Sequence, residues 1–134
     1  MAGKIDRGLL VLVAAHKNDT DREAKKMADK VFGLRIFNDE AGKMNLALAD
    51  VQGGVLAVSN FTVYGETAKN RRPSFIEAAP YEAGQVLFEQ FVDGLKLLGC
   101  PVQTGVFGAD MKVSLVNDGP VTVIVSVEAS GATS

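Results

Sequence analysis

A chain of 134 residues with 47% hydrophobic content is long enough to close one apolar core and too short for two ordinary domains. One domain over residues 1–128 is therefore expected, followed by a flexible tail at 129–134. A net charge of −2 and a pI near 5.4 exclude a protein that grips long nucleic acid by charge alone, but leave binding of an RNA end open. No run of about 18 uncharged apolar residues occurs, and the start, with Lys4 and Arg7, does not lead into a cleavable leader, so a cytoplasmic protein with no membrane span is expected.

Residues 8–15 (GLLVLVAA) form a continuous apolar run, short enough for a strand buried on both faces. Thr20 and Glu23 have capping-box spacing, and Ala24, Met27, Ala28, Val31 and Phe32 recur at three- and four-residue steps. This pattern predicts an amphipathic helix over 21–32, ended by Gly33. Residues 34–37 read as a short strand, Asn38-Asp39-Glu40-Ala41-Gly42 as a hairpin link, and 44–49 as the return strand. After Gly53-Gly54, residues 55–64 (VLAVSNFTVY) have strand composition, but Ser59, Asn60 and Thr62 interrupt it. Polar groups in a buried strand need partners or a task.

A polar, basic loop over 65–73 leads to Pro80, which opens a second helix with Val86, Leu87, Phe91, Leu95 and Leu98 as its buried stripe. Gly99 and Pro101 stop it. Residues 102–107, 111–116 and 121–127 read as three further strands, the last two joined by Asn117-Asp118-Gly119-Pro120. The order β-α-β-β-β-α-β-β-β, with hairpin-like links, predicts an α+β domain: a largely antiparallel, barrel-like sheet with two packed helices.

The single cysteine, Cys100, excludes an internal disulfide, and its place before Pro101 at a helix end marks it as structural. His16 is the lone histidine; a triad or a two-His metal site would have to be built around one imidazole, so it is read as a turn residue. Lys69, Arg71 and Arg72 fall within four residues in a chain of opposite net sign. A local cationic patch and a solvated loop are both open readings of them. In the 117–122 segment, Gly precedes Pro in a tight link between strands, where a plain turn and a cis peptide are both open.

Residues 6–12 (DRGLLVL), 33–48 (GLRIFNDEAGKMNLAL), 59–65 (SNFTVYG), 72–75 (RPSF) and 117–122 (NDGPVT) resemble D-aminoacyl-tRNA deacylases, in the same order and at similar separations. The resemblance implies an ester hydrolase that removes D-amino acids, and glycine, from the 3′ end of mischarged tRNA. It further implies a homodimer with its site at the subunit interface, and neither metal nor cofactor. By resemblance, Ser59, Asn60, Phe61 and Thr62 line the pocket, with backbone N–H groups near Phe61 stabilising the oxyanion. Gly119 and Pro120, in cis and flanked by Asn117, Val121 and Thr122, enter the partner's pocket and offer two carbonyls to the substrate's α-amino group. With ester and ammonium both fixed, an L side chain is pushed into backbone that cannot retreat, which accounts for chirality without a side-chain pocket. Phe107, Ala109 and Met111 are placed to line an adenine slot, although Phe107 and Met111 also read as core residues. Lys69, Arg71 and Arg72 are placed to meet acceptor-end phosphates, and the 2′-hydroxyl of the terminal adenosine helps to activate water.

Two departures bear on activity. Asn60 stands where the family usually has Gln, one methylene shorter. Upstream of the segment matching residues 3–8, family members carry a first strand and the start of a second, including an arginine that braces the Gly-Pro loop, so a thinner sheet and a looser gate are expected. Two alternatives follow: a shortened paralogue that binds aminoacyl-tRNA or adenosine-like ligands with little hydrolysis, or a deacylase for a different misacylated tRNA.

Overall fold

The computed structural model describes residues 2–129, so nearly all of the expected tail lies outside the described residues. The elements run β1 (Gly8–Val13), α1 (Asp21–Gly33), β2 (Phe37–Asn38), β3 (Met44–Leu46), α2 (Leu48–Val51), β4 (Gly54–Ser59), a 3-10 turn (Phe61–Tyr64), α3 (Tyr81–Leu97) and β5 (Val102–Thr104). The α+β class holds, but the largely antiparallel barrel does not: the main sheet has order β1-β4-β5, with both pairings parallel.

Connectivity explains the difference. The links from β1 to β4 and from β4 to β5 each contain a long helix that carries the chain back to the starting end of the sheet, which makes the next strand parallel. Among the described residues, the Asn/Gly-rich link after β2 joins two strands as a hairpin. There Asp39 Oδ1 accepts the N–H groups of Ala41 and Lys43 at 2.9 and 3.0 Å, joining β2 to β3 as a small antiparallel pair apart from the main sheet. The expected strands at 111–116 and 121–127 are absent: neither stretch is paired, and residues 108–120 are exposed throughout. Strand composition is a preference realised only against a partner edge, and among the described residues this segment finds none.

The core lies between one face of the sheet and the two long helices. Val55 and Ala57 of β4 are fully buried beside Phe91 and Leu95 of α3, with Ala24, Ala28 and Val31 of α1 completing the cluster. α1 and α3 approach so closely that a Cβ on Gly94 would lie 2.9 Å from the Ala28 Cβ. Leu48, expected in a strand, instead opens α2 and is fully buried. At the start of α1 the expected capping box is replaced by a side-chain pair: the Thr20 hydroxyl donates to Glu23 Oε2 at 2.8 Å, which partners the buried carboxylate. Cys100 is buried beneath the end of α3, and burial pushes its thiol pKa up, consistent with a structural residue.

Candidate active site

β4 ends at Ser59, and the polar residues that interrupt its sequence form a turn instead of more strand. Asn60 N–H donates to Val13 O at 2.9 Å, tying the turn to the end of β1. The Asn60 side chain folds back over its own turn, where Oδ1 accepts from Thr62 N–H at 3.2 Å and also from the Thr62 hydroxyl. Val63 N–H donates to Asn60 O at 3.2 Å and Gly65 N–H to Thr62 O at 2.9 Å. Among the described residues the Phe61 N–H makes no hydrogen bond, which leaves one donor at the head of the turn. The Phe61 ring is 57% exposed and meets Phe75 edge to face, with centroids 5.0 Å apart.

Phe75 belongs to a segment pinned at two places. Glu66 and Ser74 exchange backbone hydrogen bonds of 2.7 and 2.9 Å, closing residues 67–73 into a hairpin that carries Lys69, Arg71 and Arg72 at its exposed tip. Among the described residues none of these three cations is held in an ion pair. Further on, Lys17 N–H donates to Glu77 O and Ala79 N–H to Ala15 O, both at 2.9 Å, a short ladder that fastens the segment to the end of β1.

His16 is more than the expected turn residue. Its Nε2 lies 2.8 Å from Glu77 Oε2, its Nδ1 accepts Asn18 N–H at 3.0 Å, and its ring meets Tyr64 edge to face at 5.6 Å. The hydrogen bond from His16, followed by the charge of Lys17, holds the Glu77 carboxyl below its ordinary value. Burial raises the pKa of Asp19 and of Tyr64, which with His16 and Glu128 line a cavity of about 280 Å³. Among the described residues no three His, Cys, Asp or Glu side chains converge as metal ligands.

The other expected site residues lie elsewhere. Phe107 packs edge to face on Tyr81 at 5.0 Å and tilted on Phe88 at 6.0 Å, so it closes the first turns of α3 and belongs in part to the core. Ala109 is exposed, and the Met111 side chain lies over Gly105. In the 117–122 loop, Asn117 Oδ1 accepts Val121 N–H at 3.2 Å while its Nδ2 donates to the Thr122 hydroxyl at 3.2 Å. Asn117 and Thr122 thus staple the loop around Gly119, whose φ of 139° suits only glycine, and Pro120. The cis Gly119–Pro120 bond implied by resemblance is corrected: among the described residues every peptide bond is trans. A cis bond persists only where surroundings hold it, and the space beside Gly119 holds nothing but Val121. Among the described residues no hydrogen bond or ring contact joins 107–111 or 117–122 to 59–62.

Sequence reasoning missed His16, Tyr64, Glu77 and Tyr81. The first three act through contacts between segments about 50 to 60 residues apart, which no local pattern records; Tyr81 carried a signal as an aromatic residue at a helix start.

A model of the D-Tyr-tRNA(Tyr) deacylase family matches residues 1–126. The chain belongs to that family. As a member of the D-Tyr-tRNA(Tyr) deacylase family, it is 56% identical over 132 residues to a D-aminoacyl-tRNA deacylase of Geobacter metallireducens, covering 98% of this chain and 87% of that relative. A D-aminoacyl-tRNA deacylase of Thermotoga petrophila is 55% identical over 122 residues, 91% of this chain and 82% of the relative. The solved structure titled c-Myc DNA Unwinding Element Binding Protein superposes with a TM-score of 0.87 at 36% identity, covering 93% of this chain and 85% of that one. A probable eukaryotic D-amino acid tRNA deacylase shares the fold alone, with a TM-score of 0.67 at 15% identity.

Proposed function

We propose that this chain is a D-aminoacyl-tRNA deacylase that hydrolyses the ester between a D-amino acid, or glycine, and the 3′-terminal adenosine of tRNA. It works as a single domain over residues 1–128, as a cytoplasmic homodimer, without metal or cofactor. Family membership across residues 1–126 supplies the reaction class. The observation that carries the site is the turn after β4, where among the described residues the Phe61 N–H makes no hydrogen bond at the head of a hydrogen-bonded turn. A preorganised backbone donor at the developing oxyanion stabilises the tetrahedral intermediate without reorganisation.

Ser59, Asn60, Phe61 and Thr62 line the pocket, and neither hydroxyl is the nucleophile. The Thr62 hydroxyl donates to Asn60 Oδ1, and among the described residues no basic side chain is hydrogen-bonded to it. Water attacks, aided by the substrate's 2′-hydroxyl. The 117–122 loop of a second copy brings Gly119 and Pro120, with Asn117, Val121 and Thr122 shaping them, to the α-amino group. The apolar row along the unpaired segment supports this assembly: Val116 is 88% exposed and Ile124 93%, surface that a protein ordinarily covers. Phe107, with Tyr81 beside it, Ala109 and Met111 form the adenine slot, and Lys69, Arg71 and Arg72 at the hairpin tip meet acceptor phosphates. Among the described residues no helix is long and apolar enough to cross a membrane.

A second reading is favoured by one feature, the withdrawal of the Asn60 amide onto its own turn, which suits a protein that binds the aminoacyl end and turns it over slowly. Incubation with matched D- and L-aminoacyl-tRNA separates the two. Release of the D-amino acid about 100-fold faster than the L-enantiomer is expected; an intact D-ester on a retained tRNA would leave only the binding protein.

A further inference from the structure

We infer that His16 is a positioning residue for the 59–62 turn, a role that rests on the function proposed above. Both of its ring nitrogens are engaged. Because Nδ1 accepts the Asn18 N–H, the proton of the neutral ring sits on Nε2 and is donated to Glu77 Oε2 at 2.8 Å. The same ring lies edge to face on Tyr64, the last residue of the 3-10 turn that carries Phe61 and Thr62. Glu77 comes two residues after Phe75, and Phe75 is the ring on which Phe61 packs. One imidazole therefore grips the segments on both sides of the Phe61–Phe75 contact, meeting the turn only at its last residue.

His16 is in turn held by its own backbone, whose N–H donates to Asp19 Oδ2 at 2.8 Å, and Lys17 Nζ lies 3.6 Å from the second Glu77 oxygen. Tyr64 and Glu128 face it across the cavity. Displacing a reacting group by about 1 Å costs roughly 100-fold in rate, so a support of this kind governs turnover while contributing little to substrate affinity.

The test compares wild type, His16→Ala and His16→Gln in D-aminoacyl-tRNA hydrolysis, alongside amide hydrogen exchange. Glutamine extends an amide nitrogen to about the place of Nε2 and keeps the bond to Glu77 without the ring. In His16→Ala, kcat is expected to fall about tenfold with KM changed less than about twofold. The amides of Thr62, Val63 and Gly65 should exchange faster while those of α3 keep their rates, and His16→Gln should recover part of both losses. Unchanged kcat with unchanged exchange at 62–65, faster exchange throughout α3, or no recovery with glutamine would each overturn the assignment. If His16→Ala does not fold, Glu77→Ala removes the same hydrogen bond and keeps the ring; it is expected to show a smaller loss in the same direction, and wild-type behaviour there overturns the assignment as well. Should wild type leave D-esters intact, only the functional proposal fails, because the exchange pattern still decides whether His16 holds the turn.

Discussion

The turn at 60–64 and the loop at 117–122 are built alike at short range and differ in everything around them. In each, an asparagine oxygen accepts a backbone N–H a few residues later, Asn60 from Thr62 and Asn117 from Val121. The first is then anchored from several sides: Val13 O accepts its N–H, Phe75 meets Phe61 edge to face, and His16 meets Tyr64. The second lies in a stretch, 108–120, that is exposed from end to end. Side-chain-to-backbone bonds can shape a loop, but only tertiary contacts fix where it stands. The turn is thus tied to the rest of its own chain, whereas the loop is shaped locally and left exposed.

The largest test of that contrast removes packing from each region. Leu48→Ala, at a site with no exposure, is expected to cost about 2–5 kcal/mol in denaturant unfolding. Ile124→Ser, at 93% exposure, should change stability at low protein concentration by less than about 0.5 kcal/mol; its effect should appear as a weaker dimer in light scattering. Equal losses for the two would mean that the C-terminal segment is packed in the monomer after all.

Next in size, Asn117→Ala releases both staples of the 117–122 loop. Deacylation kcat/KM should drop about tenfold to 100-fold, with the thermal midpoint nearly unmoved because the loop buries little. A midpoint that falls with activity would show that the loop is tied into the fold.

A smaller change is expected at Asn60→Gln. The longer side chain cannot make the same two-residue return to Thr62, and its amide reaches outward instead. D-ester turnover should rise about threefold, and a fall would show that the short amide is matched to this site.

The smallest effect is the acid titration of the His16 neighbourhood. The Glu77 carboxyl is held below its ordinary 4.5 by the hydrogen bond from His16 and then by Lys17. Its contribution to stability is therefore present above that value and lost as pH falls through the lower folded value. Asp19 has the opposite sign: burial raises it above 3.8, so its burden on stability at neutral pH is relieved as pH falls. Thermal midpoints in the acid range should thus be less pH-sensitive in Glu77→Gln and more so in Asp19→Asn; identical profiles in both would break this assignment.

Much of the architecture was legible where the physics is local. The 3.6-residue recurrence of Ala24, Ala28 and Val31 placed α1 within a residue of its observed end, and Asp39 with Gly42 specified the hairpin through turn chemistry. Likewise, Ser59, Asn60 and Thr62 stood out as polar residues in an apolar run, and the chain does leave the strand directly after Ser59. What was misread needed distant partners: apolar alternation at 111–127 suggested strands that pair with no edge among the described residues, and the hydrogen bond from His16 Nε2 depends on a residue 61 positions away.

The sequence by itself determined the family, the two long helices and the positions of both motifs, because residue identity, helical periodicity and turn preference are carried by neighbours along the chain. Only the tertiary structure decided that the sheet is parallel, that Leu48 is core, and that a histidine read as a turn residue braces the turn after β4. These follow from which segments meet across long loops, and that outcome is set by competition among all possible contacts rather than by any one stretch.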